Sequence, residues 1–414
     1  MLPMPSWSVN MSDSATDTKS DVPTTRKCLS TRKALQDVLK KVLPAIEGNH
    51  NISSEDAAIE DVTVDFLAEG GYNYVWLVSF SSKPSEQDGT TSLHTAILRE
   101  PNDDAFLPWQ IENEVAHLTF IAKDHPSIPV PKVYAYDDGK TGNEPYIMME
   151  YIDGQPLGSV WTAYSEDEKL AAARQVAQII IEMGSITFAR IGGLTLNHEI
   201  GPTVEGMKLF KGRDKFHSPD CYDIGPYHST HAYVLGCYDK EVYYYTHAPD
   251  SDIDEGWFDV VTRDTFIKSL RETRDRLAST PSTFLPEQPF TLVHNDLNGR
   301  NIMMRDKKIA AILDWEFAGS YPLSEMLEGR GVDLLEIVDD ETEEENSAWS
   351  LRMEELVAEA ARARGWDEGR VELLVGRGNE ELGLARIEMV PEFLAKDATD
   401  IGAGDDADNG VGGS

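Results

Sequence analysis

Cysteine is scarce in this chain: three residues in 414, at Cys28, Cys221 and Cys237. An odd number at irregular spacing excludes a disulfide framework and suits a reducing compartment. Positive charge is also short, with 37 Lys and Arg against 73 Asp and Glu and a formal net charge of −36. Nucleic acid and an anionic leaflet both need a basic footprint, so neither is expected as a partner. Such a balance suits a cationic partner or plain solubility. Long hydrophobic runs are missing as well, and no membrane span is expected. The opening MLPMPSWSVNMSDSATDTKSDVP lacks the continuous apolar core of a signal peptide. A cytosolic protein is the expectation.

What is present is a chain that is 41% hydrophobic and long enough for two lobes of one fold. Residues 1–30, rich in Ser, Thr and Asp, are expected to be a disordered tail, as is the acidic, Gly-rich stretch 397–414. Between them the pattern changes once. From 31 to 150 it predicts a helix over 31–46 with Leu35, Val38, Leu39, Val42 and Leu43 on one face, then strands at 62–80 (broken by a Gly-Gly turn), 93–100 and 144–154. One helix, WQIENEVAHLTFIAKDH, lies among them. From 151 to 396 helices dominate, beginning with SEDEKLAAARQVAQIIIEMGSI and its Ser-x-x-Glu capping box. Residues 190–262 read as an irregular elaboration, DDETEEEN (339–346) as a solvated loop, and NEELGLARIEMVPEFLAK as a late helix.

The chemistry concentrates in LVHNDLNGRN (292–301) and IAAILDWEFAG (309–319). An apolar strand leads to a polar loop, and a second apolar strand ends on Asp314. Phosphoryl transfer needs a carboxylate to orient the attacking hydroxyl and hard oxygen ligands for Mg²⁺ on the nucleotide phosphates. Asp296 suits the first role; Asn301 and Asp314 suit the second. A capping Asp and Asn in a loop, with Asp314 ending an ordinary strand, is the structural alternative.

His294-x-Asp296-x₄-Asn301 followed by Asp314 resembles the catalytic and metal loops of the protein-kinase-like superfamily. DWEFAG, and the lack of a Lys two residues after Asp296, resemble its aminoglycoside phosphotransferase and choline kinase branch, as a fungal-type member. The resemblance implies an α+β, two-lobed fold. An N-lobe of antiparallel sheet with one main helix binds nucleotide, and a mainly helical C-lobe carries the catalytic and metal loops. It implies ATP as donor (GTP is equally compatible with the sequence), Mg²⁺, and transfer to a hydroxyl or amine of a small molecule. Gly70, Gly71, Tyr72 and Asn73 fall where this superfamily places its nucleotide loop, although Gly-Gly is equally a hairpin turn. Arg99 stands where the phosphate-facing Lys is usual, and Arg can grip phosphate with two donors. Glu114 matches its orienting partner, with Glu112 as the rival. Glu150 to Ile152 match the connector whose backbone would hold the adenine edge. His294 reads as a brace. Arg300 either touches phosphate or faces water, the latter being favoured, and Glu316 is split between a metal or substrate role and a surface one.

Scattered Cys and His in 217–247 lack structural zinc spacing, so no metal site is expected there. Aromatic rings near Asp220, Asp223 and Asp239 would suit a cationic acceptor. A catalytically silent, kinase-like scaffold is the reading from another class, motivated by the weak glycine loop and Arg99. A protein kinase is disfavoured because no Ala-Pro-Glu segment follows Asp314.

Overall fold

The computed structural model describes residues 32–47, 59–82, 92–204, 213–253, 258, 261–281, 285, 287–327 and 331–376. The tails at 1–30 and 397–414 and the late helix at 379–396 lie outside them.

Helix α1 (Arg32–Ile46) turns Leu35, Val38, Leu39, Val42 and Leu43 inward, the set its 3.6-residue period selects. They cover one face of a five-stranded antiparallel sheet, order β1-β2-β3-β5-β4, built from β1 (Ile59–Glu69), β2 (Asn73–Ser82), β3 (Ser92–Pro101), β4 (Val133–Asp137) and β5 (Tyr146–Glu150). Alternation decides which side chains meet α1: Trp76, Val78 and Phe80 on β2, Ala96 and Leu98 on β3, and Met148 on β5. The residues between, Ile97, Ile147 and Met149, point to the opposite face and pack with Ile111, Val115 and Leu118 of α2 (Trp109–Asp124).

That second face belongs to the main core, which continues into the helical half. The chain passes through β6 (Gln155–Pro156) and the short α3 (Leu157–Val160) into α4 (Glu166–Ser185). Ser165 and Glu168 form the capping box that the sequence announces at the start of α4. Val176, Ala177, Ile180 and Ile181 bury that helix at the centre. After β7 (Thr187–Phe188) come α5 (Thr230–His247), α6 (Arg263–Ser279), β8 (Phe290–Val293), β9 (Ile302–Arg305), β10 (Lys308–Ile312), β11 (Gly319–Pro322), α7 (Asp340–Ala363) and α8 (Glu368–Leu374). Two small sheets, β10-β9-β6 and β11-β8-β7, carry the loops of interest. The architecture is therefore α+β, with an antiparallel sheet and helix ahead of a mainly helical half. None of the described helices is long and apolar enough to cross a membrane.

Two expectations are corrected here. Residues 190–262 are not mere elaboration: α5 packs on α6 around a second core of Tyr233, Tyr244, Tyr245, Phe266 and Leu270. An aromatic helix buried on several sides shows no polar stripe, which hides its period. Gly236 is needed there because a Cβ would sit 2.4 Å from the Tyr227 hydroxyl oxygen. The acidic run 339–346 is not a loop but the start of α7, with Asp339 as N-cap in a capping box with Thr342. Acidic side chains at a helix N-terminus are favoured by the backbone dipole. Glu345 also accepts from Lys169 Nζ at 2.6 Å and from Trp161 Nε1 at 3.0 Å, fastening α7 to the α3–α4 region.

The α1–sheet core sets a stability prediction. Leu39→Ala removes a fully buried side chain and is expected to cost about 2–5 kcal/mol by urea denaturation. Leu93→Ala, at a side chain 74% exposed, should stay within about 0.5 kcal/mol of wild type. Equal effects would contradict this placement of α1.

Candidate active site

Strand β8 delivers the chain to the 294–301 loop, whose shape is fixed by hydrogen bonds. The Asp296 N–H donates to His294 Nδ1 at 3.3 Å, so the ring hydrogen sits on Nε2 and donates to Leu313 O at 2.8 Å. Burial lowers the His294 pKa and keeps the ring neutral. It packs 4.6 Å from the Trp315 ring and braces the loop, as the sequence suggested. Asn295 takes a left-handed conformation (φ 65°) and its amide donates to Phe317 O at 2.8 Å. Asp314 is left-handed too (φ 67°). Such backbone is costly for non-glycine residues and persists where neighbours over-determine it.

Gly299 lies against residues 333–334. Its N–H donates to Asp333 O at 2.7 Å, its carbonyl accepts from Gly158 N at 3.0 Å, and a Cβ would meet Leu334 O at 2.2 Å. Sequence reasoning gave this glycine no role, yet only glycine fits. The β9–β10 hairpin then turns through Asp306 and Lys307, both at positive φ, and returns the chain. Leu313 N–H thereby donates to Asn301 O at 2.8 Å, which sets Asn301 and Asp314 beside each other.

The Asp296 carboxylate is fully engaged. Oδ1 accepts from Asn298 Nδ2 at 2.8 Å and from an Arg300 terminal nitrogen at 3.0 Å. Oδ2 accepts from Asn301 Nδ2 at 2.9 Å and from the same Arg300 nitrogen at 3.2 Å. Burial raises the Asp296 pKa, with the Arg300 guanidinium opposing. Arg300 corrects the expectation that it only faces water, since its exposed side chain folds back onto Asp296.

Arg99, on β3, reaches across to three carboxylates. It pairs with Glu114 of α2, with Asp314 Oδ1 at 2.9 Å and with Glu316 Oε2 at 3.0 Å. Burial opposes its charge, but Glu114, Asp314 and Glu316 outweigh that and hold it protonated. Glu112, the rival to Glu114, is paired instead with Lys140. Glu316 is buried and also accepts from Asn73 Nδ2 at 2.8 Å, so the surface alternative for it is overturned. Asn113, which carried no sequence expectation, is a buried bracket. Its amide nitrogen donates to Glu316 O and Ala318 O, each at 2.9 Å, and its oxygen accepts from Leu194 N at 2.9 Å. A mid-helix Asn, poor for the helix itself, is the only sequence signal that would have flagged it.

Gly70, Gly71, Tyr72 and Asn73 form the β1–β2 turn, closed by Gly70 N to Asn73 O at 2.8 Å. Neither glycine has positive φ, and a Cβ on Gly71 would meet only open space. The turn itself does not demand glycine, and the bare backbone leaves room beside it. Tyr72 packs edge-on against Phe317 at 5.2 Å, and burial, with Glu316 adding, pushes its hydroxyl up to about 12. At the other side, Glu150 ends β5 and gives its N–H to Lys132 O at 2.8 Å, so that donor is already taken. Ile152 follows, half-buried.

Three carboxylates share one guanidinium, so acidic groups outnumber the basic one at this point. Burial, with Asp314 adding, raises Glu316, and burial raises Glu114 against the pull of Arg99. This is the signature of excess buried negative charge. Asn301 ties its amide nitrogen to Asp296, which leaves its oxygen for a cation, and Asp314 gives Arg99 one oxygen of two. Among the described residues no group of three or more His, Cys, Asp or Glu is arranged to hold a metal. Mg²⁺ needs no such group, because phosphates and waters fill most of its six positions. Three of the Cys and His of 217–247 have identifiable local contacts. His231 lies on Leu277 O and His247 on Tyr243 O, while Cys237 is in the second core. Asp239 is paired with Arg274 at 2.8 Å and Asp223 caps Gly225 N, so two of the acids read as a cradle for a cation are already engaged.

A family model described as "Phosphotransferase enzyme family" matches residues 66–325, more than half of the chain. The chain belongs to the phosphotransferase enzyme family. Similar curated proteins include "Altered inheritance of mitochondria protein 9, mitochondrial" of Meyerozyma guilliermondii, 25% identical over 189 residues, 43% of this chain and 29% of that protein. A "subtelomeric hrmA-associated cluster protein" of Aspergillus fumigatus is 28% identical over 193 residues, 42% of this chain and 36% of that one. The chain thus spans about a third of these relatives' length or less. Among solved structures, aminoglycoside phosphotransferase APH(4)-Ia is similar at 14% identity and a TM-score of 0.44, covering 89% of this chain and 97% of that one. The expectation of a cytosolic protein is overturned by the first of these names, which recurs in other yeasts and places that protein in mitochondria.

The buried carboxylates predict a pH dependence. Glu316 is raised from 4.5 to about 8 in the folded protein, so the native state holds a proton that the unfolded chain has released. Its stabilising contribution is complete below the ordinary value and lost as pH rises through the folded one. Without magnesium or nucleotide, Tm should fall between about pH 5 and 8, and Glu316→Gln should flatten that fall. A Tm that is level or rising over this range in the wild type would contradict the assignment.

Proposed function

We propose that this member of the family is a kinase that transfers the γ-phosphoryl group of ATP to a hydroxyl or amine of a small molecule, with Mg²⁺. The observation carrying the reading is the convergence of Asp296, Asn301 and Asp314 within one bonded unit that faces Arg99 of the sheet. Asp296 would accept the proton of the acceptor hydroxyl and aim its lone pair, a role its position in the loop and its burial support. Asn301 and Asp314 would hold Mg²⁺, which when bound neutralises charge on the transferring phosphates. Arg99, kept in place by Glu114, would face the phosphates, and residues 70–73 would close over them with backbone alone. Glu150 to Ile152 would line the base. In this reading residues 31–150 form the nucleotide-binding unit and 151–396 carry catalysis and acceptor. The names of the yeast relatives point to the mitochondrion as the place of action.

Mutants separate the roles. Asp296→Ala should lower turnover by about 10²–10⁴-fold while retaining the rise in Tm on adding Mg·ATP. Asp314→Ala should lose that rise. A scaffold that binds no nucleotide would show none in the wild type. Wild-type turnover in both variants would refute the assignment. Labelled ATP with a metabolite extract then identifies the acceptor.

A further inference from the structure

Arg300 is the one donor on Asp296 that can leave without dismantling the loop. An ionised carboxylate offers about four acceptor positions, and here four contacts from three side chains occupy them. Asn298 and Asn301 are each held a second time, their amides also donating to the Asp296 carbonyl at 3.2 and 2.8 Å. Arg300 makes no other side-chain bond among those described, and its side chain is 73% exposed on a long stem. A hydroxyl can approach Asp296 as its proton acceptor only where a donor withdraws.

We propose that Arg300 is a specificity-determining residue that closes Asp296 to water until a bound acceptor displaces it. This rests on the kinase reading above and concerns the same carboxylate. A water molecule brings no binding energy from elsewhere to offset loss of the ion pair. An acceptor held by other contacts does, so it opens Asp296 as it binds. In the chemistry suppressed, water attacks the γ-phosphorus of ATP, the bond to the ADP oxygen breaks, and Asp296 takes the proton of the water, leaving ADP and inorganic phosphate. The pair is exposed, so its hold on Asp296 is modest.

The test measures phosphate release from Mg·ATP with no acceptor present, on the full chain, for wild type, Arg300→Ala and Arg300→Ala/Asp296→Asn. Arg300→Ala should raise kcat for hydrolysis by about two- to fivefold, the range an exposed ion pair supports, with KM for ATP unchanged. The double variant should lose the gain, which a merely structural role for Arg300 would not produce. Hydrolysis by Arg300→Ala equal to or below wild type, with the Mg·ATP thermal shift intact, overturns the proposal while leaving the kinase reading standing. Absence of that thermal shift in wild type overturns the kinase reading and this one with it.

Discussion

A buried guanidinium, that of Arg99, ties the large sheet and α2 to the turn after β10. Arg99 stands on β3, and its carboxylate partners come from α2 (Glu114) and from the turn after β10 (Asp314 and Glu316). Removing one member of a buried pair leaves an unsolvated charge and costs about 3–5 kcal/mol, far more than an exposed pair is worth. The register of β3 in the sheet therefore dictates where residues 314–316 sit. Asn73 and Asn113 hold Glu316 from two further directions, so the arrangement does not rest on charge alone.

The 294–301 loop depends on that anchor at one remove. His294 bonds to Leu313, Asn295 bonds to Phe317, and Asn301 receives Leu313, so each end of the loop is referred to the segment that Arg99 fixes. A neutral His brace, the left-handed Asn295 and a glycine pressed on Leu334 leave few alternative conformations. A rigid Asp296 is what the proton acceptance proposed for it requires.

Much of this was legible in the sequence, for physical reasons that differ by region. Period-2 and period-3.6 patterns showed α1, α2, α4 and four of the five strands of the large sheet, because their apolar residues recur at a regular interval. α5 was invisible because Tyr233, Tyr238, Tyr244 and Tyr245 are buried around more than one side. The start of α7 was mistaken for a loop because solvated acids and an N-terminal helical turn share a composition. In the site, Asp296, Asn301, Asp314, Arg99 and Glu114 carried fixed spacings that the structure brings together. Asn113 and Gly299 carried none, since a bracket between backbone carbonyls and a close backbone contact are made by residues distant in sequence. Arg300 was misjudged because its exposure hides a contact made four residues back.

The account is tested most directly by a double-mutant cycle on folding stability with Arg99→Met and Glu316→Gln, measured by denaturant unfolding at about pH 9, above the value of about 8 to which burial raises Glu316, so that this carboxylate is ionised. If Arg99 organises the site, Arg99→Met alone is strongly destabilising, and part of that loss disappears once Glu316 no longer carries charge. The coupling should then be about 0.5–3 kcal/mol. Strict additivity of the two changes would mean that the guanidinium and its carboxylates are neighbours without being partners.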